Sequence, residues 1–337
     1  MADIAKTEQT GSIAQTARSW MKNIFQIEQA GLFVAFVILC IIISLLTPVF
    51  LSVVNIMNVL RQASLIAITG IGMALIILVG EIDLSVGSAQ AVVGIITVWI
   101  LNQTGNVPLS IAAALGTGAF IGIVNGFLVT KGKINSLIAT LAMMAIWRGL
   151  AMISTQAVSI QAKVDSFQNI GTGFWGPFPI PVVLTILLFC GFFYILNYTS
   201  FGRYVYAVGG NANAAGLSGL PVNRIKFLTY VIGGVLTALS GLILASRMNS
   251  GQPNAGIGFE MQVIAAVILG GISLSGGVGT LAGAFIGIII LSVLSNGLIL
   301  LNVSSFYHDV ARGLVILLAV YMDSRRKQGL TKRLLKN

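Results

Sequence analysis

The sequence predicts an all-α protein, a polytopic transmembrane helical bundle of about ten spans, with eight as the lower count. Three observations carry that prediction. The 337 residues are 56% hydrophobic and only 8% charged, with a mean hydropathy of +0.96, whereas an average soluble domain is about a quarter charged. Between Gly31 and Tyr321 the only acidic residues are Glu81, Asp83, Asp165, Glu260 and Asp309. Stretches 31–46, 63–79, 181–196 and 227–245 carry no charge, and such runs of about 16 to 19 residues approach the length a helix needs to cross a bilayer.

Taken in chain order, hydropathy and breakers place the spans near 31–47, 63–80, 84–101, 109–130, 134–153, 180–197, 227–246, 261–275, 281–301 and 305–322. Residues 1–30 then form a cytoplasmic N-terminal segment, 31–322 the membrane domain and 323–337 a basic cytoplasmic tail. The net charge of +10 is concentrated at the ends: Lys6, Arg18 and Lys22 at one, and Arg325, Arg326, Lys327, Lys332, Arg333 and Lys336 at the other. Basic residues beside spans hold loops in the cytoplasm. The same rule puts Lys131/Lys133 and the connection 203–226 inside and the connection 154–179 outside, so both termini are expected inside. Nucleic acid is not expected as a partner, because no aromatic residues interleave with the basic tails. The polar, nearly neutral residues 1–11 and the lack of a small-residue cleavage site argue against a secretory signal.

Two segments look unlike ordinary spans. Leu84–Leu101 opens with Ser85, Gly87, Ser88 and Gln90, and Met261–Ser275 is short and runs into Gly270-Gly271 and Gly276-Gly277. Short, glycine-interrupted segments in corresponding places of two halves point to broken helices lining a pathway. The hexapeptide Gly-Ala-Phe-Ile-Gly-Ile occurs at 118–123 and again at 283–288. These are the fourth and ninth expected spans, and an odd separation reverses direction, so an inverted internal repeat is expected. Gly118, Gly122 and Gly126, and likewise Gly283 and Gly287, stand four apart, the spacing at which small residues let helices approach closely in lipid.

Several chemistries are excluded by what is missing. Cys40 and Cys190 sit singly in apolar segments, and the only histidine, His308, has no metal-ligand partners near it in sequence. No Ser/His or paired-Asp arrangement suits an intramembrane protease, and no carboxylate cluster suits a transferase metal site. No G-x-x-x-x-G-K-[ST] phosphate loop is present. The remaining polar residues divide between packing and passage. Glu81 and Asp83 at membrane depth read either as a proton or sodium site, which would make an ion-coupled secondary transporter of a small polar solute, or as an interfacial pair with Asp83 at the N-cap of the next helix. The Leu84-Ser85 start of that helix favours the cap. Arg148, and Arg312 with Asp309, are expected to pair locally or snorkel. Asn125, Asn135, Ser136, Ser273, Ser275 and Asn296, with Asp83, Ser85 and Gly87, are candidates to line a path for a neutral polyol. Bonding to neighbouring helix backbones is the alternative for each.

The most informative polar stretch is 201–226. Asn211 or Asn213 can cap a short helix, 214–217 can form it, and Gly219 with Pro221 can end it. A small-residue helix flanked by Arg203 and Arg224/Lys226 can seat in a groove on a cytoplasmic partner. Here Phe201-Gly202-Arg203, Gly209-Gly210-Asn211, Ala214-Ala215 and Gly219 resemble the ATPase-coupling loop of the monosaccharide (ribose/arabinose/galactose-type) ABC importer permeases. The same family is resembled at Glu81-Ile82-Asp83-Leu84-Ser85-Val86-Gly87-Ser88, at Val124-Asn125-Gly126 and along Lys133-Ile134-Asn135-Ser136-Leu137-Ile138-Ala139-Thr140-Leu141. It is resembled again at Ala245-Ser246-Arg247-Met248, Ser250-Gly251-Gln252-Pro253, Gly258-Phe259-Glu260 and Leu269-Gly270-Gly271.

The resemblance covers nearly the whole chain and implies the ABC importer permease fold in the bacterial inner membrane. It implies three partners besides the bilayer: a cytoplasmic ATPase subunit, a periplasmic sugar-binding protein and a second permease copy. It also implies a coupling loop built from Gly202, Arg203, Gly209, Gly210, Asn211, Ala214, Ala215, Gly219 and Pro221. On this reading the chain is not an enzyme and binds no cofactor, ATP being used by the partner subunit. A pentose such as ribose or arabinose is the expected cargo.

Overall fold

A computed structural model describes residues 33–34, 36–304, 307, 310–311, 313–315, 317 and 321. The expected cytoplasmic segment 1–30, the basic tail 323–337, and His308, Asp309 and Arg312 in the expected last span lie outside the described residues.

The chain begins with the short helix α1 (Phe36–Leu46). The long α2 (Val53–Leu78) follows, started by Ser52, whose side chain accepts from the Asn55 N–H at 3.3 Å. It stops at Gly80, whose φ of +82° lets the Glu81 N–H reach back to the Ile76 carbonyl at 3.0 Å. Then come α3 (Val86–Thr104), α4 (Val107–Thr130) and α5 (Ser136–Thr155). Asn106 and Asn135 cap α4 and α5 by accepting from Leu109 and Leu137. The connection 156–179 holds a 3-10 turn (Asp165–Gln168) leading into the one-turn helix α6 (Asn169–Thr172), and the two-residue strands β1 (Ile160–Gln161), β2 (Phe174–Trp175) and β3 (Phe178–Pro179). The second half follows as α7 (Ile180–Tyr198), α8 (Ser200–Gly210), α9 (Ala212–Leu217), α10 (Val222–Met248), β4 (Ser250–Gly251), α11 (Phe259–Leu269) and α12 (Leu281–Leu300). β2 pairs with β3, and β4 pairs with β1 of the first half.

Among the described residues seven helices are long and apolar enough to cross a membrane: α2, α3, α4, α5, α7, α10 and α12. Two expectations need correction. The expected span 261–275 is helical only as far as Leu269, in the 11-residue α11, about 16 Å long at 1.5 Å per residue, roughly half of a bilayer's hydrocarbon core. The chain that follows it is non-helical, with Gly271, Gly276, Gly277 and Gly279 all at positive φ. The segment opening at Leu84 is instead continuous. Its break lies ahead of the helix, at 79–85, and α3 runs 19 residues without interruption. In addition, 201–226 is not a loop with one short helix: α8 and the first turn of α10 occupy most of it.

The glycine spacings of the sequence are explained by packing. A Cβ at Gly118 would strike Ala238 and Gly234, and one at Gly122 would strike Tyr230, so α4 lies backbone-close along α10. On α12, Gly283 and Gly287 face Gly270 and Ala266 of α11 in the same way. α2 and α10 cross at Gly72 and Gly233. α10 therefore packs on α3 and α4, while α2 packs on α11 and α12. The two halves have thus exchanged their long helices, an arrangement that the repeated hexapeptide in α4 and α12 did not by itself foretell. A reciprocal amide pair, Asn55 with Asn296 at 3.0 and 2.8 Å, ties the start of α2 to the far end of α12.

Candidate functional site

The connection 79–85, between α2 and α3, collects polar side chains from three helices, α4, α5 and α10, at the end of the bundle that carries α8 and α9. Asp83 is only 3% exposed. Its Oδ1 accepts from the Ser85 N–H at 2.8 Å and the Ser85 hydroxyl at 2.7 Å, and its Oδ2 from Asn125 Nδ2 of α4 at 3.1 Å. Asn125 Nδ2 also donates to Ser85 Oγ at 2.8 Å. Burial raises the pKa of the Asp83 carboxyl from its ordinary value, partly offset by the hydrogen bonds from Ser85 and Asn125. The neighbouring Ile82 carbonyl accepts from the Tyr230 hydroxyl of α10 at 3.0 Å, and the Ile82 N–H donates to Ser136 Oγ of α5 at 3.4 Å. Glu81 pairs with Lys226, also of α10, at 2.5 Å.

Asp83 is thus not the N-cap that the sequence suggested. Ser85 holds that position, in helical backbone with no side-chain cap bond. Asp83 sits two residues earlier and fixes Ser85 and Asn125, so both its oxygens are committed to holding α3 against α4.

Beside this network lies the α8–α9 pair. Thr199 caps α8 by accepting from Gly202, whose closeness to Leu196 leaves no room for a side chain. Asn211 caps α9, accepting from Ala214 at 2.9 Å. Gly219, at φ +81°, ends it, with Leu220 N–H returning to the Ala215 carbonyl at 3.0 Å. Ala215 is buried and anchors the helix, while Arg203, Gly210, Asn211, Ala214, Gly219 and Pro221 are exposed. Leu217, at the tip, is 92% exposed.

Residues 55–320 match the family described as branched-chain amino acid transport system / permease component. The ribose import permease protein RbsC of Haemophilus influenzae is 43% identical over 304 residues, covering 89% of this chain and 94% of that protein. The corresponding protein of Escherichia coli is 42% identical over 316 residues, 93% and 98% of the two chains. The L-arabinose ABC transporter permease protein AraH of Azospirillum brasilense is 40% identical over 301 residues, 89% of each. The chain belongs to this permease family. No solved structure matches it.

The permease brings four of its predicted pathway residues together, Asp83, Ser85, Asn125 and Ser136, in the network at 79–85. The others are scattered. Gly87 lies where a Cβ would strike the Gly256 carbonyl and the Glu260 carboxylate, so α3 touches the chain leading into α11. Asn135 is exposed and caps α5. Ser273, whose Oγ accepts from the Ser275 N–H at 3.4 Å, belongs with Ser275 to the turn between α11 and α12. Asn296 is at the opposite end of the bundle, paired with Asn55.

Two residues of the permease were undervalued by the sequence. Arg148, expected to snorkel or pair locally, sends Nη1 to the carbonyls of Pro253 and Ala255 at 2.5 and 2.8 Å. It clamps the non-helical lead-in to α11 through these two carbonyls. Gln90, in the second turn of α3, donates to the Ser240 hydroxyl at 2.8 Å, which donates in turn to the Leu65 carbonyl at 2.9 Å. The amide among the small residues that open the span was the available signal, since buried polar groups in a membrane need partners.

Proposed function

We propose that this permease is the membrane-spanning subunit of an ATP-driven importer that carries a pentose, ribose or arabinose, across the bacterial inner membrane. It works with a cytoplasmic ATPase and a periplasmic sugar-binding protein. The observation that carries this reading is the identity of 40–43% with pentose permeases over about nine-tenths of both chains. The family's general description names branched-chain amino acids instead, and a direct experiment separates the two. Expressed with its ATPase and binding protein in cells lacking their own pentose permeases, the chain is expected to restore growth on ribose or arabinose and not to raise leucine uptake. Leucine uptake without pentose uptake would refute the assignment.

In this reading the α8–α9 end is cytoplasmic, since Lys131, Lys133, Arg203, Arg224 and Lys226 all gather there. Residues 1–30 and the tail 323–337 are then cytoplasmic too. The docking surface is the exposed set Arg203, Gly210, Asn211, Ala214, Gly219 and Pro221 with Leu217 at its tip, while Gly202, Gly209 and Ala215 support it from behind. The second permease copy, making a homodimer, rests on the family resemblance. Orientation is tested by single cysteines in intact cells. Ser166→Cys and Ser218→Cys are both at exposed positions, and an impermeant thiol reagent should label the first and spare the second. The reverse pattern would invert the topology and remove α9 from the ATPase side.

A further inference from the structure

At the C-terminal turn of α8 three segments meet backbone against backbone. A Cβ at Gly209 would strike the carbonyl of Leu78, the last residue of α2, and the amide nitrogen of Gly277 in the turn between α11 and α12. A Cβ at Gly277 would strike the amide and Cα of Gly210, and one at Gly276 would strike Gly80 and the Gly209 carbonyl. Two hydrogen bonds fasten the meeting point. The Gly277 N–H donates to the Leu78 carbonyl at 2.8 Å, supplying the donor that a helix lacks for its last carbonyls. The Tyr206 hydroxyl of α8 donates to the Gly279 carbonyl at 3.1 Å. One residue of α8 therefore touches the end of the first half's long helix and the turn of the second half's shortened span.

We propose that this glycine joint, Gly209 against Leu78 and Gly277, carries motion from the docking helix α9 into both halves of the permease at once. The proposal rests on the reading of α9 as the ATPase-docking element. Close-packed segments pass on a displacement instead of absorbing it, and here no side-chain rotamer stands between the three backbones to take up the slack. Packed elements of this kind move between discrete arrangements rather than deforming smoothly. A push on α9 reaches α8 across the single linking residue, Asn211, and from Gly209 it reaches the end of α2 and the 270–280 turn together. The Glu81–Lys226 ion pair and the Asp83 network hang on the same 79–85 connection, so α3, α4 and α10 follow. Gly209 and Tyr206 are positioning residues in this scheme, acting through the segments they touch.

The test uses the complete transporter, permease with ATPase and binding protein, in proteoliposomes supplied with ATP and labelled pentose. Gly209→Ala is expected to lower uptake about tenfold while the ATPase still co-purifies and still hydrolyses ATP. Gly191→Ala makes the same chemical change on α7, where nothing lies within 4 Å of the new methyl group, and should stay within about twofold of wild type. Tyr206→Phe keeps the ring and loses only the bond to Gly279. It should lower uptake about threefold with hydrolysis retained, which keeps the joint testable if Gly209→Ala does not fold. Wild-type uptake in Tyr206→Phe overturns the proposal. Loss of ATPase co-purification in Gly209→Ala also overturns it, by moving Gly209 into the docking surface itself. The docking reading fails separately, if Leu217→Glu still holds the ATPase.

Discussion

Replacing Leu217 by glutamate is expected to abolish pentose uptake and release the ATPase, with the permease still folded in the membrane. α9 owes its shape to other residues: the Asn211 cap, the buried Ala215 and the positive φ of Gly219. Leu217 contributes no packing to the fold, being 92% exposed. A leucine buried in a partner's socket is worth about 1.5–3 kcal/mol, and a carboxylate forced into the same socket reverses the sign of that contribution. Co-purification of the ATPase and uptake by reconstituted vesicles read the two losses. Normal uptake by Leu217→Glu at wild-type expression would remove α9 from the docking surface. Gly219→Glu is a poorer probe, because any side chain at φ +81° strains the turn whether or not a partner docks there.

Asp83→Leu should remove most of the folded permease from the membrane, whereas Asp83→Asn should keep it and keep uptake. Leucine leaves the Ser85 N–H and hydroxyl buried without their acceptor and Asn125 Nδ2 with Ser85 Oγ alone, at about 1–3 kcal/mol for each orphaned group. Asparagine retains an acceptor for Ser85, and Asn125 Oδ1, which has no partner among the described residues, can accept from the new amide. The pH dependence separates this role from ion coupling. The Asp83 pKa is raised by burial, so its contribution to stability is full below the ordinary carboxylate value of about 3.9 and is lost as pH rises through the raised one. Asp83→Asn has no such loss, and its Tm measured in detergent should fall less than that of wild type over that window. With ATP held constant, collapsing proton and sodium gradients should leave uptake running in both proteins. If uptake in Asp83→Asn ceased while its fold persisted, Asp83 would be a coupling site after all.

Much of this arrangement could be read from local pattern. Uncharged runs located the spans, the glycine spacings marked α4 and α12 as close-packing helices without naming their partners, and Asn211, Gly219 and Pro221 bracketed α9. What escaped the sequence was of two kinds. Residues 200–210 form a helix although they carry three glycines, because Gly202 and Gly209 are places where another backbone comes too close for a side chain. Sequence alone shows such glycines only as helix breakers. The second kind is long-range partnership. Asn296 looks like any intramembrane polar residue until Asn55, 241 positions away, is placed against it. Arg148 likewise finds its acceptors, the Pro253 and Ala255 carbonyls, 105 and 107 positions downstream.

The exchange of long helices between the halves has a consequence for how the protein is made. α2 leaves the ribosome early, yet the surfaces that cover it are synthesised last: Gly70 awaits Ile288, Gly72 awaits Gly233, and the Leu78 carbonyl awaits Gly277. A nascent chain that has reached only Thr155 has inserted α2 to α5 but owns none of α10, α11 or α12, so α2 spends that interval facing lipid with its narrowest surfaces unmatched. Insertion and folding are thus separated in time by the length of the second half. The first half is completed by the second, as if two subunits of an interlocked dimer had been fused in one polypeptide.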